Sequence, residues 1–322
     1  MDILSLYYFK ELAKDLHMTK TAGRLFVSQQ TLSKRILRME EELGTPLFYR
    51  KPGLSLTPAG ETVLSFAEEM TAQYADLQNH LNDINREERG VLRFGASTLR
   101  MDTCIGPILS RFSARYPKVQ IRLTDTISSR LEPLVLSGDL DLAIVSIDDV
   151  DEELIADPFM TDEIYLCVAD ELLLKCYGEG ADELKRKAWE KGAHVKDFDR
   201  LPFCMFTSRL GQLIRECFEK ENVQPSIYIE SSYTNVASQI CFNGLAASFC
   251  TSVVLNNKKD SIPDSLNIIP LMLGDKKRSL TLSLIRHKDR YQTGYALFFS
   301  DLIYDYFSNI EHTPVAKLGG PI

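Results

Sequence analysis

The chain has 322 residues, 44% of them apolar, and carries 37 Lys and Arg against 45 Asp and Glu for a formal net charge of -8. That length suits two or three domains, and the composition is ordinary for a soluble globular protein. No run of about 18 apolar residues occurs and the start MDILSLYYFKELAKDL has no basic region followed by an apolar stretch, so neither a transmembrane helix nor a secretory signal is expected and the cytoplasm is the default location.

Charge is uneven. Residues 1–89 hold 11 Lys and Arg against 13 Asp and Glu, yet within 18–57 Lys20, Arg24, Lys34, Arg35, Arg38, Arg50 and Lys51 face only Glu40, Glu41 and Glu42. Nucleic acid sees a local patch rather than the total charge, so an acidic chain with this segment can still bind phosphates.

In chain order, Leu4, Phe9, Leu12, Ala13 and Leu16 recur at helical spacing and predict an amphipathic helix over 3–16. Thr19 is expected to cap a short helix through Phe26. Val27-Ser28 breaks it, and Ser28 is a good N-cap for a third helix. There Leu32, Ile36, Met39 and Leu43 form one apolar stripe, Gln30, Ser33, Lys34 and Arg38 lie away from it, and Gly44 is the stop. Two short helices with a tight turn, the second polar and basic on its free face, fit a helix-turn-helix. Gln reads adenine edges, Ser contacts base or phosphate, and Lys and Arg serve phosphate or guanine. The plainer alternative is a solvated helix on any small bundle.

Leu47, Phe48, Leu54 and Leu56 flank RKPG, which predicts a β-hairpin with a basic tip: a wing whose Arg50 and Lys51 reach the DNA backbone or minor groove. Thr57-Pro58 is an N-cap followed by proline at the first helical position. A long helix is then expected from Pro58 to about Arg89. Val63, Ala67, Met70, Tyr74, Leu77, Leu81 and Ile84 alternate at spacings of 4 and 3, a heptad stripe that suits a coiled coil and a dimer presenting two winged motifs to two half-sites. Packing of this helix on its own domain is the weaker alternative.

TKTAGRLFVSQQTLSKRILRMEEELGTPLFYR, followed by LSLTPAGE, resembles the winged helix-turn-helix of LysR-type transcriptional regulators. The matching pieces are the Ala-containing helix, SQQTLSKRI, EEELGTPLF and LTPAG, in order and at the family spacing. Gly23 departs from the pattern, where a better helix former is expected; glycine there costs about 1 kcal/mol of helix stability. The candidate DNA-binding residues are Thr19, Lys20, Ser28, Gln29, Gln30, Thr31, Ser33, Lys34, Arg38, Arg50 and Lys51.

From residue 90, strands alternate with helices, which predicts parallel βα units. GVLRFGAS, VQIRLTDT and DLDLAIVSI read as strands, with helices from Ser97-Thr98 to about Tyr116 and over SSRLEPLVLSG. A second set follows: LPFCMF, SIYIES and LAASFCTS as strands, SRLGQLIRECFEKE and YTNVASQICFNG as helices. DEIYLCVA and SLTLSLIRHK are expected to be crossover strands, and a final helix runs Tyr291–Ser308. Residues 90 to about 308 resemble the effector-binding region that LysR-type regulators share with type 2 periplasmic binding proteins, chiefly through SGDLDLAIVS and NGLAASFCTS. Residues 175–200 exceed the usual length there and read as a partly helical insertion.

The expected fold is therefore α/β: an N-terminal winged helix-turn-helix over 1–58, a long coiled-coil linker helix over 59–89, and a two-lobed Rossmann-like effector-binding domain over 90–310. Lobe I covers about 90–162 and 268–310, lobe II about 163–267, and 311–322 is a tail. The resemblance implies a sequence-specific DNA-binding transcription regulator. Its partners would be double-stranded operator DNA, a small-molecule effector, further copies of the chain as homodimer and homotetramer, and RNA polymerase, with no membrane.

In open α/β sheets ligands bind where a helix begins after a strand. Four such ends carry hydroxyls: Ser97-Thr98, Ser128-Ser129, Thr207-Ser208 and Ser232-Tyr233-Thr234. Hydroxyls and free helix-start amides suit a small anion, although Ser and Thr also simply cap helices. Arg100 and Arg209 follow two of these ends and either pair with a ligand carboxylate or are surface charges. The candidate effector-binding residues are Ser97, Thr98, Arg100, Ser128, Ser129, Thr207, Ser208 and Tyr233.

Cys167/Cys176 and Cys241/Cys250, each separated by eight residues, offer an alternative sensing step by thiol redox chemistry, against which stand the apolar patterns around Cys217, Cys241 and Cys250. The seven Cys contain no CxxC and the five His are scattered, so neither a disulfide framework nor a metal site is expected. No nucleophile-base constellation or cofactor motif supports an enzyme, and the winged N-terminus counts against a solute carrier.

Overall fold

The computed structural model describes residues 1–84, 88–146, 149–231, 233–311 and 315. Helix α1 (Ile3–Asp15), α2 (Met18–Arg24) and α3 (Gln29–Leu43) precede a hairpin of β1 (Phe48–Tyr49) and β2 (Ser55–Leu56), and α4 (Pro58–Ile84) follows. Leu6, Phe9, Leu12, Leu32, Ile36, Met39, Leu47, Phe48 and Ala67 close one core from all these elements. Glu40 locks wing to helix: its Oε1 accepts from the amides of Leu47 at 2.9 Å and Phe48 at 3.2 Å.

Each stop and start has a local cause. Ser28 Oγ accepts from the Thr31 amide at 3.1 Å, and Gly44 ends α3 at φ +68°, where a side chain would be strained. Thr57 Oγ1 donates to the Pro46 carbonyl at 2.8 Å and accepts from the Gly60 amide at 2.9 Å, so the cap of α4 is also its anchor to the wing. Helix α2 is capped by His17, whose Nδ1 accepts from the Lys20 amide at 3.3 Å. Thr19, expected in that role, is the second residue of the helix and donates instead to Gln29 Oε1 at 3.0 Å, tying α2 to α3.

The apolar stripe of α4 divides. Val63, Ala67 and Met70 pack into the N-terminal core against α1, whereas Tyr74, Leu77 and Leu81 are 44%, 54% and 49% exposed. Packing on its own domain thus accounts for the first half of the heptad pattern only. The last described helical residue is Ile84, whose side chain is outside the described set, and Arg89 already pairs with Lys118 in a strand, so the helix is shorter than expected.

Beyond it come β3 (Arg89–Ala96), α5 (Thr98–Arg115), β4 (Lys118–Asp125), α6 (Ser128–Leu136), β5 (Leu142–Val145) and β6 (Leu154–Ala169). The chain continues through α7 (Asp170–Tyr177), α8 (Ala181–Lys191), β7 (Pro202–Phe206), α9 (Arg209–Lys220), β8 (Ser226–Ser231), α10 (Thr234–Phe242), β9 (Ser248–Thr251) and α11 (Ser252–Lys258). It closes with β10 (Leu266–Pro270), the small pair β11 (Met272–Leu273) and β12 (Lys276–Lys277), β13 (Ser279–His287) and α12 (Gly294–Glu311). One sheet runs β10-β6-β13-β5-β3-β4, with β9 also on β6. Strand β3 lies parallel to β4 and β5, as the βα pattern predicts, while β6 runs antiparallel to β13 through its first ten residues and to β9 and β10 through its last six. Strand β7 pairs in parallel with β8 and reaches the β9 side through a bridge from Phe203 to Ala247.

Two cores result. Leu92, Phe94, Phe112, Phe299 and Phe307 fill one lobe, and Leu166, Phe203, Phe218 and Phe249 fill the other. The insertion is structural: Ala181 and Ala188 of α8, then Val195 and Phe198, are buried in the second core. The final helix starts at Gly294 rather than Tyr291, because Thr293 Oγ1 takes the Ala296 amide at 3.2 Å, while Tyr291 stacks on His80 with centroids 4.4 Å apart. Of the tail, Val315 is buried; residues 312–314 and 316–322 lie outside the described set, as do Ser232 and the side chain of Thr234.

Two glycines respond oppositely to the same substitution. A Cβ on helical Gly23 meets nothing within 4 Å, so Gly23→Ala is expected to stabilise the N-terminal unit by about 0.4–1 kcal/mol. A Cβ on Gly60 falls 2.1 Å from the Leu47 carbonyl oxygen, so Gly60→Ala must push the wing from α4. Urea unfolding of the two variants checks this: the midpoint rises for the first and falls for the second.

Candidate DNA-reading face and interlobe cleft

Gln30, Thr31, Lys34 and Arg38 are exposed on α3, and Ser33 is half-buried beside them. Their opposite face carries Leu32, Ile36 and Met39 into the core, so burial of the stripe fixes which side chains point out. Leu43, at the end of the stripe, is exposed. Several cations are already paired: Lys20 with Asp15 at 3.0 Å, Arg24 with Glu11 and with Asp15 at 2.6 Å, and Arg38 with Glu42 at 3.2 Å. Arg50, expected to reach out from the wing, is turned back onto Glu40 at 2.7 Å. The cations of these pairs are exposed and open to a phosphate, whereas Glu11, Asp15 and Glu40 are only 9%, 10% and 10% exposed; the Arg38–Glu42 pair alone is exposed at both ends, and such a pair contributes about 0–1 kcal/mol. Among the described residues Lys34 and Lys51 are in no ion pair. One residue at the turn was not singled out by the sequence reading: Phe26 is 96% exposed at φ +56°, a strained conformation for an aromatic residue. An apolar residue beside a helix break was its only signal.

The second site lies between the lobes. Ile127, Ser128, Ser129, Ser146 and Asp149 from one lobe and Thr207, Ser208, Arg209 and Gln212 from the other line a cavity of about 350 Å³. It receives the N-termini of α6 and α9, neither of which has a side-chain cap on its first amides. The same holds for α5 and α10. Among the described residues, simple helix capping therefore does not explain the hydroxyls at the starts of α5, α6 and α9. Uncapped amides and the positive helix ends favour an anionic group. Ser128 Oγ accepts from the Ser146 amide at 3.1 Å, which fixes the wall, and Arg209 Nη1 donates to Gln212 Oε1 at 3.4 Å. A separate cavity of about 340 Å³ lies among α5, α11 and α12 and is lined by none of the predicted effector residues.

Family models match both parts: a LysR substrate binding domain over residues 85–308 and a bacterial regulatory helix-turn-helix protein of the lysR family over residues 3–61. The chain belongs to the LysR family of transcriptional regulators. It is 26% identical to the HTH-type transcriptional regulator YcgK of Bacillus subtilis over 310 residues, 94% of each chain. It is 37% identical to IlvY of Escherichia coli over 145 residues, 45% of this chain and 49% of that one. Among solved structures, full-length CbnR complexed with its target DNA matches with a TM-score of 0.58 at 17% identity, covering 95% of this chain and 100% of that one. Full-length OxyR of Pseudomonas aeruginosa matches at 0.62 and 16%, covering 98% and 100%. This LysR family member is thus a DNA-binding transcriptional regulator with an effector-binding domain, and no helix of its described residues is long and apolar enough to cross a membrane.

Of the predicted effector residues, the structure brings Ser128, Ser129, Thr207 and Ser208 to the cavity. Ser97, Thr98 and Tyr233 do not line it; Thr98 Oγ1 is spent on both oxygens of Asp125, at 2.9 and 3.0 Å. Ser146, Asp149 and Gln212, all on its walls, were not singled out. Arg100 is neither a surface charge nor a cleft residue. Its Nη2 lies 2.8 Å from Asp162 Oδ2, with the two side chains 5% and 0% exposed, while its Nη1 is buried without a hydrogen-bond partner. Asp162 Oδ1 in turn accepts from Ser252 Oγ at 2.6 Å and from the Val253 amide at 3.1 Å.

The cysteines are mostly interior. Burial pushes Cys104 up to about 12 and Cys204 up to about 11, and holds Cys241 well above the ordinary thiol range. Cys167 is raised by its hydrogen bond with Cys250 and by burial, and Cys176 lies half-buried in a different cluster. Thiols kept protonated are poor nucleophiles.

Arg100→Leu leaves the buried Asp162 charge uncompensated and is expected to cost about 3–5 kcal/mol. Arg100→Leu/Asp162→Asn should recover most of that loss, because the amide oxygen still accepts from Val253. Thermal unfolding of both variants measures it; a double variant no more stable than the single one contradicts the pairing.

Proposed function

We propose that the chain reads operator DNA with α3, senses a small carboxylate-bearing metabolite in the cleft between its lobes, and acts as a symmetric oligomer. The observation that carries the sensing step is the convergence of two uncapped helix N-termini, α6 and α9, on one cavity of about 350 Å³. Gln30, Ser33 and Lys34 face the major groove, with Thr19, Lys20, Ser28, Gln29, Thr31 and Arg38 around them. Lys51 contacts the backbone, and Arg50 does so once phosphate replaces Glu40.

A route links the two sites. The N-terminus of α6 lines the cleft, and the turn after its other end carries Asp139, which pairs with Lys10 at 3.0 Å and Lys14 at 2.6 Å on α1. Burial works upward on the Asp139 carboxyl, but Lys10 and Lys14 outweigh it and keep it below the usual carboxylate range. A ligand that prefers one lobe arrangement biases that contact by its differential affinity for the two. The exposed Tyr74, Leu77 and Leu81 of α4 meet a second copy, effector domains complete a tetramer, and RNA polymerase is the downstream partner.

Lys51→Ala is expected to weaken binding to all DNA sequences and to lower the salt slope by about 1, whereas Gln30→Ala changes sequence preference. Fluorescence titrations at several salt concentrations test this, and unchanged affinity and preference in both variants would show that the reading face is misassigned. Charges at Leu77 and Leu81 test assembly without disturbing the N-terminal core. Leu77→Lys/Leu81→Lys should sediment as a smaller species, and an unchanged sedimentation coefficient excludes this half of α4 as the contact.

A further inference from the structure

The cleft is not purely attractive to anions. Asp149, exposed on the segment after β5, lines the same cavity as Arg209, which opens α9 on the facing lobe. A plain carboxylate would gain from the helix amides but would be repelled by Asp149. A ligand bearing one charge of each sign satisfies both walls. Size and lining narrow the class further. At about 350 Å³ the cavity is near the lower end of the range of roughly 300–1,000 Å³ seen for ligand pockets, room for one small metabolite. Ile127 is the one aliphatic side chain among its lining residues, the rest being hydroxyl, amide or charged, so little of the ligand can be hydrocarbon.

We propose that the effector is a small zwitterion, an α-amino acid with a short or polar side chain. Its carboxylate lies at the amide ends of α6 and α9, and its ammonium group is countered by Asp149. This rests on the cleft reading above and assigns Asp149 the choice between an amino acid and the corresponding hydroxy or keto acid.

The test is calorimetry on the full chain with the twenty proteinogenic L-amino acids, each short-chain binder being compared with its matched 2-hydroxy acid. Wild type should bind at least one amino acid with a short or polar side chain, and bind the matched hydroxy acid at least about tenfold more weakly, as expected when a charged hydrogen-bonding partner is lost. Asp149→Asn should lose about tenfold or more toward the amino acid while holding or gaining affinity for the hydroxy acid, because the repulsion is gone. Asp149 is exposed, so the substitution leaves the core intact. Equal affinity for the two acids, an unchanged amino-acid affinity in Asp149→Asn, or no amino acid bound at all overturns the zwitterion inference. Ser129→Trp, which fills the cavity, separates this from the underlying reading: binding that survives it places the ligand elsewhere and overturns the cleft itself.

Discussion

Strand β6 is the constraint on which the effector domain depends. Its first ten residues, Leu154–Glu163, pair with β13, and its last six, Ile164–Ala169, pair with β9 and β10. One continuous strand therefore belongs to both lobes. The register with β13 shifts between Leu282 and Ser283, opposite Met160 and Pro158, and proline has no amide to give to a ladder. The Arg100–Asp162 pair lies a few residues on, where β6 passes from one set of neighbours to the other. Its burial ties α5, β6 and the start of α11 into one unit.

That arrangement explains why the cleft sits where it does. Helix α6 follows β4 and α9 follows β7, so each lobe sends one helix N-terminus toward the gap that β6 spans. Helix α9 is pinned in its own lobe by Leu210, Ile214 and Phe218, and by a backbone approach so close that a Cβ on Gly211 would lie 1.8 Å from the Phe206 carbonyl oxygen. Helix α6 runs from the cleft to the turn that meets α1. Further along the same seam Arg290 donates to the carbonyls of Val135 at 3.2 Å and Leu136 at 2.6 Å, and Tyr291 donates to Asp83 of α4 at 3.0 Å. The DNA-binding unit and linker helix therefore rest on the same lobe that supplies the α6 wall of the cleft.

The N-terminal part was legible because local rules agree with one another there: the stripe Leu32, Ile36, Met39 sets the period of α3, Ser28 starts it and Gly44 stops it. The parallel βα units were legible for the same reason. What escaped depends on partners distant in sequence. The first half of β6, LIADPFMT, has no clean alternation, because its strand character comes from β13 more than a hundred residues on. Leu266–Pro270 and Ser252–Lys258 are short and take their form from β6 and the Asp162 cap. Arg100 read as a ligand-carboxylate partner or a surface charge because nothing nearby in sequence names Asp162. Asp149 lies in a polar loop with no periodic signal, and only the approach of the two lobes gives it a role.

On the function proposed above, occupancy of the cleft changes how the winged motifs sit on DNA. Footprinting of the full chain on a DNA fragment selected by its own binding, with and without a mixture of small carboxylate and amino-acid metabolites, tests it most directly when wild type is run beside Thr207→Trp. The expected footprint shifts in extent or hypersensitivity for wild type and stays fixed for the variant whose cleft is filled. A shift that persists in Thr207→Trp, or a wild-type footprint indifferent to every metabolite in the mixture, would contradict it.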